Sequence, residues 1–330
     1  MRRSSWFEVH DHHLFPRFLR HLVTDALEAM WNATDMYRPI MPRLKRVMEE
    51  ADTREVVDLC SGGGGPWFRL QPALASAGCP VSVRLTDKYP NQTAFDKASR
   101  QSHQAITGYP EPVDANCVPH GLTGFRTMFS SFHHFDPEDA RAILTDSFGR
   151  REGIAIFEAA ERSAPSICAI FFVPMLTLVL APRIRPFRWS RLWWTYLLPI
   201  IPFVLWIDGI LSCLRSYSQA DMAELIVGLD SESYSWQVGQ DGEGILRITY
   251  LIGSPAGAVP RVYESEIAAE DILDDSGLSF HNRPSSPLGT HTCAKPTSEP
   301  EIRLAGGNCM PTRQRHRPIP ANHVDEESAS

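Results

Sequence analysis

The stretch Val56-Val57-Asp58-Leu59-Cys60-Ser61-Gly62-Gly63-Gly64-Gly65-Pro66 constrains this chain most, because an apolar strand runs into a glycine turn and then into a helix. Pro66 suits a first helical position, where a missing N–H is no loss. Glycines at such a turn let backbone approach a ligand at the carboxyl end of a strand, which is where open α/β sheets bind. The loop ends in Gly-Pro-Trp rather than Gly-Lys-Ser/Thr, so a Walker phosphate cradle is excluded. A dinucleotide fingerprint needs a third glycine for close helix packing, and the bulky Trp67 argues against it. A nucleoside ligand without a pyrophosphate remains, of which S-adenosylmethionine is the common example.

From Thr53 to Leu251 strands and helices alternate, the pattern of parallel βαβ units. Strands are predicted at Glu55 to Cys60, Val81 to Thr86, Phe125 to Phe129 and Gly153 to Glu158. Helices are predicted over Pro66 to Ala77, Asn91 to Ser102 and Pro137 to Phe148, the last capped by Asp136. Tyr234 to Val238 and Ile245 to Leu251 flank a glycine-rich turn and read as a β-hairpin, which gives a mixed sheet with one antiparallel strand. Residues 1–52 form an N-terminal helical segment, with Phe15, Phe18, Leu19, Leu22, Val23, Ala26, Leu27 and Met30 at helical spacing. It packs on the α/β body either as a plain structural element or as a cap over the site. Residues 253–330 lose periodicity in Pro-, Ser- and Arg-containing runs and read as a disordered tail, with a short helix over Glu264 to Asp275.

Asp87 ends the second strand, where a carboxylate accepts two hydrogen bonds from a ribose diol or caps the next helix. Its position after the glycine loop favours the ribose. Asp114 either faces an adenine amino group or serves as a turn carboxylate. Together with Arg126-Thr127-Met128-Phe129-Ser130-Ser131-Phe132-His133-His134-Phe135, these motifs in this order resemble class I S-adenosylmethionine-dependent methyltransferases. The His-His-Phe ending resembles their small-molecule branch, which includes the quinone methyltransferases. The resemblance covers about Glu55 to Leu251. It implies a Rossmann-like seven-stranded mixed sheet with S-adenosylmethionine lying across the carboxyl ends of the first strands. Carried over by position, Asp58, Ser61, Gly62 and Gly64 hold the methionine part, Asp87 the ribose and Asp114 the adenine region. Where enzymes that methylate nucleobase amino groups carry Asn/Asp-Pro-Pro-Tyr/Phe, this chain reads Ser130-Ser131-Phe132-His133-His134, which argues against that chemistry.

Methyl transfer from a sulfonium asks for alignment in a dry site rather than for much side-chain chemistry. A base matters only if the acceptor must lose a proton. His133 and His134 are the candidates, with anchoring of the loop as the structural alternative. Glu158 and Glu161, after the strand ending at Glu158, are expected to face the same crevice, although Glu161 and Arg162 also fit a solvated pair.

Residues 163–207 form an apolar insertion: Ile167 to Leu180 and Leu192 to Ile207 are strongly apolar and flank Arg183, Arg185, Arg188 and Arg191. A spanning helix takes about 20 apolar residues, and Pro174, Pro199 and Pro202 interrupt these runs. A monotopic hairpin fits better, with arginines toward anionic headgroups and Trp189, Trp193, Trp194 and Tyr196 at the boundary. A hydrophobic lid over the site is the alternative. Either way the acceptor is expected to be lipophilic.

Lys+Arg 32 against Asp+Glu 39 leaves a net charge of −7 over 330 residues, which argues against a nucleic-acid partner. The 7 cysteines contain no C-x-x-C pair, so they read as reduced thiols rather than a zinc site. Met1 to His13 lacks the apolar run of a secretory signal, which places the chain in the cytoplasm, at a membrane surface if the insertion docks. The expected activity is S-adenosylmethionine-dependent methylation of a lipophilic small molecule or lipid at oxygen or carbon. The alternative is a non-catalytic membrane-associated binding module that retains the cofactor fold.

Overall fold

The computed structural model describes residues 3–4, 8–9, 14–244 and 247–255. Its centre is a sheet of seven strands: β1 (Glu55–Leu59), β2 (Ser82–Leu85), β3 (Ile106–Gly108), β4 (Phe125–Phe129), β5 (Ile154–Glu158), β6 (Tyr234–Asp241) and β7 (Ile248–Pro255). Their spatial order is β3-β2-β1-β4-β5-β7-β6. The neighbours from β3 to β5 pair in parallel, and β7 runs antiparallel between β5 and β6. This is the mixed sheet expected from the alternation. The three-residue β3 was not read from the sequence, because a run that short carries no periodicity. The strands of the hairpin extend past the predicted Val238 and Leu251, since each is paired along its whole length with the other. β7 therefore includes Gly253, Ser254 and Pro255, and the tail cannot begin at Gly253. The helix proposed over Glu264 to Asp275 lies outside the described residues.

Parallel strands covered on both faces are apolar almost throughout, and β4 and β5 are buried at every residue. One face carries α2 (Met41–Glu50), α3 (Trp67–Ser76) and α4 (Gln92–Gln101), whose Leu44, Met48, Trp67, Leu74 and Phe95 close a core with Phe129 and Phe157. On the other face lie α5 (Pro137–Arg150) and α10 (Gln219–Leu225), packed through Ile143, Leu144 and Met222 on Met128 and Ile156. Asp136 does occupy the N-cap position of α5, but its side chain makes no cap hydrogen bond. That carboxylate is exposed and lies 3.6 Å from the Arg3 guanidinium.

The insertion folds as α6 (Ala164–Ile170), α7 (Val173–Leu180) and α8 (Trp189–Leu192), and it runs through a π turn at Trp193–Leu197 into α9 (Ile200–Arg215). Its inner side forms a third apolar cluster with α1 (Arg17–Thr34), where Leu22, Val23 and Ala26 meet Ile201, Val204 and Leu205. Only three of the four arginines face outward as expected. Arg191 turns inward, 1% exposed, with Nη2 at 2.6 Å from Asp25 Oδ2 and Nη1 donating to the Ile184 and Pro186 carbonyls. Asp25 on α1 is what draws it in.

Candidate active site

The strand order turns at β1 and β4, whose chain connections leave in opposite directions, and the crevice this opens at the carboxyl ends is where such sheets bind ligands. A cleft of about 690 Å³ occupies that place, within the roughly 300–1,000 Å³ of small-molecule sites. Its floor is the loop after β1, the loop after β2 and the turn after β4, represented by Ser61, Gly62, Asp87, Tyr89, Ser130 and His134.

The glycine loop needs its glycines. Gly62, Gly64 and Gly65 have φ of +57°, +107° and +48°, values that other residues reach only with strain. A Cβ on Gly64 would also sit 3.3 Å from Leu85 and 3.1 Å from Phe68, so this glycine shapes the turn from beneath rather than lining the cleft. Ser61 knots the loop to β2: its Oγ donates to the Asp58 carbonyl at 2.8 Å, and its N–H donates to the Thr86 carbonyl at 2.9 Å. Asp58 is buried and accepts from Thr127 Oγ1 at 2.6 Å. Burial pushes its carboxyl up to about 6, against the pull of donors on Ser61, Thr127 and Trp67.

Asp87 joins two loops. Its Oδ2 accepts the Gly62 N–H at 2.9 Å and its Oδ1 accepts the Tyr89 N–H at 2.8 Å. The structure thus brings Asp58, Ser61, Gly62 and Asp87 together along one wall. Asp114 stands apart from it: Oδ2 pairs with Lys88 Nζ at 2.8 Å, Oδ1 accepts the Asn116 N–H at 3.1 Å, and Pro112 lines the cleft in its stead. This is the turn carboxylate of the two readings.

The catalytic candidates separate as well. His133 is 2% exposed, with Nδ1 at 2.5 Å from Glu158 Oε2 and Nε2 at 3.1 Å from Glu8 Oε1. Burial alone would lower its pKa, but Glu158 and Glu8 outweigh burial and raise it to about 10. A histidine held as a cation between two carboxylates has no free lone pair, so it anchors the turn rather than acting as a base. Glu158 does not face the crevice; its Oε1 accepts the Phe132 N–H at 2.8 Å beneath the turn. Arg215 Nε and Nη2 donate to the His133 and His134 carbonyls at 3.0 and 2.8 Å, which completes a rigid support. His134 borders the cleft and stacks on His133, with ring centroids 4.4 Å apart. Arg162 pairs with Asp221. Glu8, His133 and His134 are the grouping among the described residues that could hold a metal, with ligand atoms within 4.8 Å. Within it His133 is bonded to both Glu158 and Glu8, and Ser212 Oγ adds a bond to Glu8 Oε1 at 2.6 Å.

The sequence reading allows a cap over the site but names none of the residues that form it. α1 lays Arg20, His21, Thr24, Glu28 and Trp31 over the glycine loop, and this polar stripe, at helical spacing opposite the apolar one, was the available signal. Glu28 Oε2 would lie 2.8 Å from a Cβ on Gly63, and Trp31 lies 3.3 Å from one on Gly65. Glu28 also pairs with Lys97 Nζ at 3.0 Å; burial raises its pKa and Lys97 lowers it, leaving a net upward shift. Arg20 stands over the Tyr89 ring at 5.7 Å, so the roof reaches the loop after β2. The helix predicted as either packing or cap does both.

No protein-family model matches the chain, and no curated protein does. Among solved structures, it is similar to the pyocyanin biosynthetic protein PhzM at 11% identity, over 68% of this chain and 56% of that one, with a TM-score of 0.42. An O-methyltransferase of neocarzinostatin biosynthesis, solved with S-adenosylmethionine and 2-hydroxy-5-methyl naphthoic acid, is 12% identical over 64% of this chain and 52% of that one, with a TM-score of 0.38. An O-methyltransferase family protein from Burkholderia thailandensis is 16% identical, over 66% and 55%, with a TM-score of 0.36. The chain spans about half the length of the first structures it matches. The functional reading rests on the residues of the cleft.

Proposed function

We propose that the chain is an S-adenosylmethionine-dependent methyltransferase whose acceptor is a lipophilic small molecule, methylated at oxygen or carbon. The observation that carries this reading is the Asp87 carboxylate, fixed against the Gly62 amide at the mouth of the glycine loop. There it can accept a ribose diol while the loop leaves room for the rest of the cofactor. The residues fit the group: Gly62 and Gly63 present bare backbone, and the Glu28 carboxylate above them suits the ammonium of a methionine moiety. When bound, the cofactor supplies a methyl group already activated on a sulfonium. Trp31, Leu27 and Phe129 wall the cleft and keep water out, which strengthens every charge contact inside. His134, at the rim, can hold a proton released by a hydroxyl acceptor. An acceptor with an apolar body suits a roof helix whose far side is packed on an apolar insertion.

Calorimetric titration with S-adenosylmethionine and S-adenosylhomocysteine tests the reading, with Asp87→Ala alongside. Micromolar binding is expected, weakened roughly a hundredfold in the variant by the loss of two charge-assisted hydrogen bonds. A folded wild-type protein that binds neither compound would overturn it and leave the binding module.

A further inference from the structure

The helical run Ala164–Arg183 is long and apolar enough to cross a bilayer, yet only 11% of it is buried in the fold. Its inner residues meet α1 and α9, while Phe171, Phe172 and Met175 face outward at 59%, 71% and 67% exposure. Trp189, Trp193 and Tyr196 on the other arm are 78%, 54% and 52% exposed. Two contacts join the arms: the Phe171 and Trp206 rings lie 5.6 Å apart, and Tyr196 Oη donates to the Leu178 carbonyl at 2.5 Å. Isolated exposed apolar residues are ordinary, but a contiguous set of this size marks a partner.

Charge identifies that partner. Residues 163–207 contain no Asp or Glu, and Arg183 and Arg185 are exposed with Arg188 half-buried beside them. Arg191 is the exception, neutralised by Asp25. A second copy pressed on the same face would set arginine against arginine, which is unfavourable. An anionic bilayer surface offers the complement: phosphates for the guanidiniums, a headgroup boundary for Trp and Tyr, and acyl chains for Phe and Met. Spanning is disfavoured, because the second arm breaks by 71° between Trp189–Leu197 and Ile200–Arg215, and two spans would carry Arg183, Arg185 and Arg188 to the far side of the bilayer.

We propose that residues 163–207 dock monotopically on anionic membranes, with Arg183, Arg185 and Arg188 on lipid phosphates and the aromatic rings at the headgroup boundary. The inner side of this insertion packs on α1, whose opposite face roofs the cleft, so docking would anchor the roof helix through the insertion. The docking itself does not depend on the cofactor, and its test reads none.

The test is flotation of the full chain with vesicles of phosphatidylcholine alone and of phosphatidylcholine mixed with phosphatidylglycerol, at low and high salt. The expected result is binding to the anionic vesicles, weakened by salt, and lowered roughly a hundredfold in the triple variant Arg183→Gln/Arg185→Gln/Arg188→Gln. Trp189→Ala/Trp193→Ala, two exposed positions, should weaken it as well while the melting temperature is unchanged. Absence of flotation with either vesicle would overturn the proposal. So would resistance of the membrane-bound protein to carbonate extraction, which would mean a spanning hairpin. A dimer by light scattering that the tryptophan variant dissociates would assign the face to a second copy instead.

Discussion

Replacing Arg191 with Met removes the guanidinium while keeping an apolar stem of similar reach, and so isolates what the inward-turned arginine does. Three hydrogen bonds are lost: one to Asp25 at 2.6 Å and one each to the Ile184 and Pro186 carbonyls at 3.1 Å. Removing one partner of a buried pair costs about 3–5 kcal/mol. Asp25 is 26% exposed and can recover water, which places the cost near the lower end, about 3 kcal/mol. Because the pair pins the arm around α8 to α1, the loss should appear first as local opening. Amide exchange over 184–192 should accelerate about a hundredfold, in keeping with about 1.4 kcal/mol per factor of ten. Urea unfolding supplies the global figure, and the double variant Arg191→Met/Asp25→Leu should cost less than the sum of its parts. Vesicle binding should survive in Arg191→Met and fail in the triple variant of the outer arginines, the reverse of their effects on stability. Unchanged exchange and an unchanged midpoint in Arg191→Met would refute the reasoning.

Other expectations follow from the site. Because His133 is raised from 6.5 to about 10, its stabilisation is complete below the unfolded pKa and is lost as pH climbs toward 10, at about 1.4 kcal/mol per pH unit. Melting curves from pH 7 to 10 should therefore fall more steeply for wild type than for His133→Gln, and parallel curves would disprove the buried cation. Gly64→Ala places a side chain at φ +107° and 3.3 Å from Leu85, so it should lose about 2 kcal/mol of stability and weaken cofactor binding, read by thermal shift with and without ligand. Glu28→Gln should raise the dissociation constant for S-adenosylmethionine several-fold with little change in melting temperature, checked by calorimetry. Tyr37→Phe loses the 2.6 Å bond to Ser130 Oγ beneath the cleft, and urea unfolding should show a cost of about 1 kcal/mol.

The sheet was legible because its signals are local. Apolar strands, a glycine turn and helix starts recur every few residues along 55–158, and the hairpin announces itself by two β-rich runs around glycines. The part of the site that lies in one loop, Ser61 to Gly65, could be read in the same way. Asp114 misled because an Asx turn and a ligand carboxylate look alike in one dimension. His133 and His134 are adjacent and chemically identical. Only Glu158 below and Glu8, 125 residues away, decide that the first is buried as an anchor while the second meets the cleft.

The sequence alone therefore determined the alternating elements, the glycine loop with its acidic neighbour, and an apolar insertion carrying arginines, since each is written in periodicity and residue type over short spans. Tertiary structure decided which of those side chains face the cleft, the core or the outside. Arg191 is drawn inward by Asp25, 166 residues earlier, and α1 becomes a roof because one face meets the insertion while the other meets the glycine loop. A charge buried by a distant partner gains its energy only when folding brings the two together, and no local pattern records that meeting.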